Sequence, residues 1–246
     1  MRNIKIIIEY DGKNFAGWQI QPGKTSIQGE MQRALKDVTG EDIEIIASGR
    51  TDAGVHAYGQ TANFKTNSKV PIQKIPYALN AKLPKSIVVK SAEEVDERFH
   101  SRYNAKGKTY KYIINNNEFP SALDRYREFY MPSHLDKEAM RRALKKFEGE
   151  HDFKGFKSSG GSPKKTTVRT ITKAEMREHD GKIEIELTGD GFLYNMVRII
   201  CGTIVDVGLG KINENEIEDI ILSGDRTRAG KTLPPHGLYL MKVFYK

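Results

Sequence analysis

Cysteine occurs once in 246 residues, at position 201. A lone thiol excludes an internal disulfide and any cysteine-cluster metal site, which suits a reducing cytosol and predicts a cytoplasmic protein. Cys201 lies in an apolar helical stretch and reads as a core thiol. No apolar run approaches the ~20 residues of a membrane span, so no membrane contact is expected. Met1-Arg2-Asn3 leads straight into a strand-like segment, and no signal peptide is expected. The six histidines, His56, His100, His134, His151, His179 and His236, show no metal-ligand spacing to one another, so no metal is expected. A Gly-x-Ser-x-Gly elbow is missing, which leaves serine hydrolysis without support. Gly230-Lys231-Thr232 echoes a phosphate loop, but Asp225 stands where that motif needs glycine, and Leu233-Pro234-Pro235 follows where a helix must begin.

Acids are in deficit too. Lys and Arg number 40 against 32 Asp and Glu, a net charge of +8. That excess favours a polyanionic partner through phosphate contacts and counterion release. From Arg98 to Lys111 run Arg98, Arg102, Lys106, Lys108 and Lys111 without one acid, interleaved with Phe99, Tyr103 and Tyr110, with Tyr112 just beyond. Cations for phosphates and aromatic faces for bases compose a single-strand or loop RNA surface. A solvated strand edge with core tyrosines is the competing reading. Hydrophobic content of 38% with 29% charged residues describes a globular chain long enough for one large domain or two small ones.

Periodicity organises the chain into two similar halves. Ile4, Ile6, Ile8 and Tyr10 alternate on one face of a strand. Thr25-Ser26-Ile27-Gln28 has capping-box form and opens a helix with Ile27, Met31, Leu35 and Val38 inward, closed by Gly40. Strands over 43–48, 60–65 and 86–91 and a helix over 71–83 complete the order βαββαβ. The second half repeats the topology, not the residues. It has a strand over 108–114, a helix over 135–147 and a hairpin around His179-Asp180-Gly181. Helices over 195–207 and 214–222 and a closing strand over 239–245 follow. The fold expected is α+β: two ferredoxin-like (RRM-like) βαββαβ halves, 1–104 and 105–246. Their antiparallel sheets would join into one large sheet with a central RNA-binding cleft. Loops at 115–124, 157–165 and 224–237 read as excursions able to close over a large substrate.

One stretch combines a cation, a hydroxyl, a carboxylate and an imidazole between two glycines: Ser48-Gly49-Arg50-Thr51-Asp52-Ala53-Gly54-Val55-His56-Ala57. Val55 and Ala57 return at once to small apolar residues, so the loop should dip inward and carry Asp52 and Arg50 with it. A carboxylate taken from water needs a cation or hydrogen bonds, and Arg50 lies two residues away. A buried, paired Asp52 is a candidate nucleophile; a charged surface turn is the plain alternative. His56 reads as a base or, better, as a hydrogen-bonder to backbone. Tyr110 reads equally as core or as a ring for stacking on a base. Arg198, among Val197, Ile199 and Ile200, either reaches solvent or pairs with an anion such as Asp52.

The Asp52 loop resembles the active-site loop of the tRNA pseudouridine synthase A family. The resemblance extends along nearly the whole chain. It takes in Arg98-Phe99-His100-Ser101-Arg102, Lys108-Thr109-Tyr110-Lys111-Tyr112, Gly191-Phe192-Leu193-Tyr194-Asn195-Met196-Val197-Arg198 and Pro235-His236-Gly237-Leu238-Tyr239-Leu240, in the family's order. It implies conversion of uridine to pseudouridine at tRNA positions 38, 39 and 40 in the anticodon stem-loop, by a homodimer without cofactor or metal. It also implies Asp52 as the catalytic aspartate, Arg198 as its ion-pair partner, Arg50 as the arginine that displaces the base and Tyr110 as the ring that stacks on it. Leu238, Arg98, Arg102 and Lys108 follow as substrate-binding residues. One carboxylate suits this chemistry: it can trap positive charge at C1′ when the N1–C1′ bond breaks, or remove the C2′ proton to give a glycal. Two other classes compete. A non-catalytic pair of RRM-like modules lacks the aromatic run of that motif, and a metal-dependent nuclease lacks carboxylates clustered around Asp52.

Overall fold

A computed structural model of the chain describes residues 1–160 and 166–245. In chain order the elements are β1 (Arg2–Tyr10), α1 (Ile27–Thr39), β2 (Ile46–Ala47), β3 (His56–Thr66), α2 (Ile75–Asn80) and β4 (Ile87–Val95). There follow β5 (Gly107–Asn115), β6 (Phe129–Tyr130), α3 (Lys137–Lys145), β7 (Gly149–Asp152), β8 (Val168–His179) and β9 (Lys182–Gly189). The chain ends with α4 (Met196–Gly208), α5 (Ile217–Ser223) and β10 (Leu238–Phe244). The class is α+β, as expected. No helix among the described residues is long and apolar enough to cross a membrane. The expected loop at 157–165 lies outside the described residues over its last five positions.

The chain forms two compact units, Met1–Lys106 with Tyr239–Lys246, and Gly107–Leu238. The strand expected to end the second half therefore groups with the first, where Tyr239 and Leu240 run parallel to His56 and Ala57 of β3. In the first unit β4, β1 and β3 lie side by side, all antiparallel, and β2 pairs with β3. This is the βαββαβ order expected for the first half. Ile4, Ile6, Ile8 and Tyr10 present one face, at most 3% exposed, and α1 covers the core with Ile27, Met31, Ala34 and Leu35. Burial on this scale is worth about 1.5–3 kcal/mol per large apolar side chain.

Helix α1 starts one residue later than its capping-box reading. Ser26, not Thr25, is the N-cap and accepts from the Gly29 N–H, so the third position holds glycine and no reciprocal bond can form. Gln28 instead ties the preceding loop down: its carbonyl accepts from the Ile20 N–H and its amide donates to the Ile45 carbonyl. Gly40 closes the helix at φ 76°, the left-handed cap that glycine adopts most readily.

In the second unit β5, β9, β8 and β7 lie side by side, antiparallel, with β6 on β5. Helix α4 is buried along almost its whole length, with only Arg198 and Asp206 half-buried, as expected of a largely apolar helix enclosed by its own unit. The segment at 224–237, expected as a surface excursion, is tied to its own unit. The Gly230 N–H donates to the Thr203 hydroxyl, the Leu233 N–H donates to the Arg198 carbonyl, and the Tyr112 hydroxyl donates to the Pro234 carbonyl at 2.7 Å. A Cβ on Gly202 would sit 1.8 Å from the Lys231 carbonyl oxygen. The segment is a strap laid along α4, and its glycines serve close backbone approach, not phosphate binding.

Candidate active site

The residues around Asp52 are held by hydrogen bonds from three directions. The Ser48 hydroxyl donates to the side-chain carbonyl of buried Gln60 at 2.8 Å, and the Gln60 amide donates to the Gly49 carbonyl at 3.0 Å. The Thr51 carbonyl accepts from the Trp18 N–H at 3.0 Å, and its hydroxyl shares a 2.7 Å hydrogen bond with the Tyr10 hydroxyl. The Asp52 carbonyl accepts from the Val55 N–H, which closes the turn. Val55 and Ala57 are each 2% exposed, so the loop does dip inward. The two charged side chains do not follow as expected: Asp52 is half-buried, not buried, and Arg50 is exposed, because the inward dip takes the backbone and the small residues Val55 and Ala57 without them.

Two glycines outside the loop make this seating possible. A Cβ on Gly12 would stand 2.0 Å from the Val55 carbonyl oxygen, and one on Gly17 would stand 2.5 Å from the Thr51 carbonyl oxygen. Gly17 also holds φ at 95°, a conformation open to little but glycine. His56 is buried, stacks on Tyr239 with centroids 4.8 Å apart and accepts the Gly12 N–H on Nδ1 at 3.1 Å. It serves the backbone, as read from sequence. Burial pushes the Tyr10 hydroxyl up to about 12. It is therefore a permanent hydrogen-bond donor or acceptor and never an anion at physiological pH.

Arg98 and Arg102 lie on an exposed turn with Tyr103, whose ring the Arg102 guanidinium overlies at 5.8 Å. A buried polar cluster pins that turn. The Asn3 amide donates to the Phe99 carbonyl, and the Asn63 side-chain carbonyl accepts both the N–H and the hydroxyl of Ser101 at 2.8 and 2.7 Å. The cluster sits at the Asn3 end of β1 and the Asp52 loop at the Tyr10 end. At strand spacing these lie about 24 Å apart, so the structure does not bring Arg98 and Arg102 beside Asp52.

In the second unit Lys108, Tyr110 and Tyr112 follow one another along β5 at alternate positions, but their burial differs. Tyr112 is fully buried under the strap. Tyr110 is half-buried, its ring edge-on to Phe192 at 5.2 Å. Lys108 is half-buried and Leu238 buried. The half-buried Arg198 guanidinium donates from Nε to the Leu233 carbonyl at 2.6 Å and from Nη1 to Asn195 Oδ1 at 2.8 Å. Among the described residues no cluster of three His, Cys, Asp or Glu could hold a metal ion.

The family model described as tRNA pseudouridine synthase matches residues 6–104 and 143–246. The chain belongs to the tRNA pseudouridine synthase family. It is accordingly an isomerase acting on uridine in tRNA. The tRNA pseudouridine synthase A of Acetivibrio thermocellus is 54% identical over 245 residues, covering 100% of both chains. That of Caldicellulosiruptor bescii is 53% identical and that of Thermoanaerobacter pseudethanolicus 50%, each again over 245 residues and 100% of both chains.

Sequence reasoning missed the supports of the enzyme's Asp52 loop. Tyr10, Gly12, Gly17 and Gln60 meet it from outside the loop, and no local pattern marked those contacts. The Tyr10 contact is testable. Tyr10→Phe leaves the buried Thr51 hydroxyl without its 2.7 Å partner and is expected to lower stability by about 1–2 kcal/mol. Thermal melts would read that loss, and an unchanged Tm would show that Gln60 or water replaces the bond.

Proposed function

We propose that the chain isomerises uridine to pseudouridine at positions 38, 39 and 40 in the anticodon stem-loop of tRNA, as a cytoplasmic homodimer, with Asp52 as the catalytic carboxylate. Along the first of two routes open to it, the Asp52 carboxylate attacks C1′ and the N1–C1′ bond breaks, leaving uracil with the bonding pair on N1. Along the second it takes the C2′ proton and a glycal forms as that bond breaks. On the first route the uracil then rotates, its C5 attacks C1′, and the carboxylate leaves with its own electrons. C5 gives up its proton and N1 regains one, so the sum is an isomerisation with no co-reactant. In this reading Arg198 partners the Asp52 carboxylate, Arg50 displaces the base and Tyr110 stacks on it. Leu238, Lys108, Arg98 and Arg102 bind the surrounding RNA.

What supports the reading most is the seating of the loop. Hydrogen bonds from Tyr10, Trp18 and Gln60 hold the residues on the N-terminal side of Asp52, and a site that must place one oxygen on one carbon gains most from a fixed backbone. The half-buried ring of Tyr110 suits stacking. Flipping a base out of its stack costs a few kcal/mol, which phosphate contacts from the basic turn at Arg98 and Arg102 would offset. The test is a map of pseudouridine in tRNA from cells lacking the gene. Loss confined to positions 38, 39 and 40, restored by the gene in trans, is the expected result. Unchanged pseudouridine there would end the assignment.

A further inference from the structure

Asp180 and Asn195 are the two non-glycine residues with positive φ among those described. Asp180 turns the hairpin between β8 and β9, where such a conformation is ordinary. Asn195 turns no hairpin. It stands immediately before α4 at φ 61° and ψ 5°. An asparagine at a helix start usually turns its oxygen onto the N–H groups of the first turn, yet here no such bond forms. Both ends of its side chain are used elsewhere. Oδ1 accepts from Arg198 Nη1 at 2.8 Å, and Nδ2 donates to the Ser158 hydroxyl at 3.0 Å. Ser158 is itself tied back, its N–H donating to the Tyr194 carbonyl at 3.2 Å. Arg198 Nε donates to Leu233 of the strap. Bonds from two separate nitrogens fix both the plane and the rotation of a guanidinium.

We propose that Asn195 is a positioning residue for the isomerisation: it forgoes helix capping and takes a left-handed backbone in order to orient the Arg198 guanidinium. The assignment rests on the reading that Arg198 serves the reaction. An amide is the fitting group for the task. Its carbonyl oxygen orients a cation through a directed hydrogen bond but carries no net charge. A carboxylate in its place would pair with Arg198 and compete with Asp52 for the same positive charge. Serine would be too short to reach Nη1 while also meeting Ser158.

The experiment is a set of variants assayed on tRNA for kcat, KM and Tm. Asn195→Gly removes the orienting oxygen while suiting the left-handed backbone. Its Tm should not fall and its KM should stay within about twofold, while kcat drops roughly tenfold to a hundredfold, the range expected when a reacting group is misplaced. Asn195→Asp keeps an oxygen in place but supplies a rival anion, and kcat again falls with Tm unchanged or higher. In an Arg198→Lys background, Asn195→Gly should change kcat by less than about twofold, because its effect runs through the guanidinium. Undiminished kcat in Asn195→Gly, or a drop matched by lost stability, overturns the proposal. Arg198→Gln separates the two layers. Normal turnover in that variant overturns the role of Arg198 itself. A dead Arg198→Gln beside a fully active Asn195→Gly overturns the Asn195 assignment alone.

Discussion

Asp52→Asn is expected to abolish tritium release from tRNA carrying 5-tritiated uridine while tRNA binding survives. Each turnover exchanges the C5 hydrogen for a C5–C1′ bond, so released tritium counts the chemical step directly. The substitution exchanges a carboxylate for an amide of the same shape. Contacts from Ser48, Gly49, Thr51 and the Asp52 backbone help seat the loop, and the amide variant keeps all of these. Its nitrogen and carbonyl lack the charge needed to attack or stabilise C1′. Loss of a nucleophile usually removes turnover by about four orders of magnitude or more. Affinity should move little, since phosphate contacts supply most RNA binding. A variant that releases tritium at the normal rate would remove Asp52 from the chemistry.

Gly17→Ala should be strongly damaging for a single added methyl group. The added Cβ would lie 2.5 Å from the Thr51 carbonyl oxygen and 3.0 Å from the Asp52 carbonyl carbon, both backbone atoms that no side-chain rotation can relieve. The residue also holds φ at 95°. Left-handed strain and overpacking together predict a loss of roughly 2–5 kcal/mol. That corresponds to a Tm fall of about 2–4 °C per kcal/mol for a chain of this size. Turnover should collapse with it, because the atoms pushed aside carry Asp52. Gly23→Ala is the control. That glycine also has positive φ, 68°, but nothing lies within 4 Å of its added Cβ. It should lose only about 1 kcal/mol and keep full activity. Equal damage from both would mean that backbone strain alone, and not proximity to Thr51, governs Gly17.

These two experiments fall where local sequence pattern stops being informative. The alternation of Ile4, Ile6, Ile8 and Tyr10 gives β1 and its buried face, and the spacing of Ile27, Met31 and Leu35 gives α1. Both depend on neighbours in sequence, and both are found where expected. The Asp52 loop was legible for the same reason: its chemistry is contiguous. The seats of that loop were not, because Gly12 and Gly17 are shaped by atoms more than 30 positions away. Tyr110 and Tyr112 occupy equivalent alternate positions, and it is distant residues, Pro234 and Gly237 of the strap, that pack on Tyr112 and seal it. The segment at 224–237 has the prolines, glycines and cations of a surface loop, yet its glycines record a backbone crossing on α4. Short strands such as β6 and β7 carry too few residues for a period to emerge. The final strand announces its type but not its unit, since pairing partners are a property of topology and not of the strand's own residues.

The basic turn at Arg98 and Arg102 is anchored on Asn3 and Asn63, at the far end of β1 from the Thr51 contact with Tyr10. The two anchors act as the marks of a ruler about 24 Å long. In the proposed reading, in which the basic turn binds RNA, one strand touching both must reach across that span. A mononucleotide would meet only one mark, so that reading ties the length of a usable substrate to the length of β1.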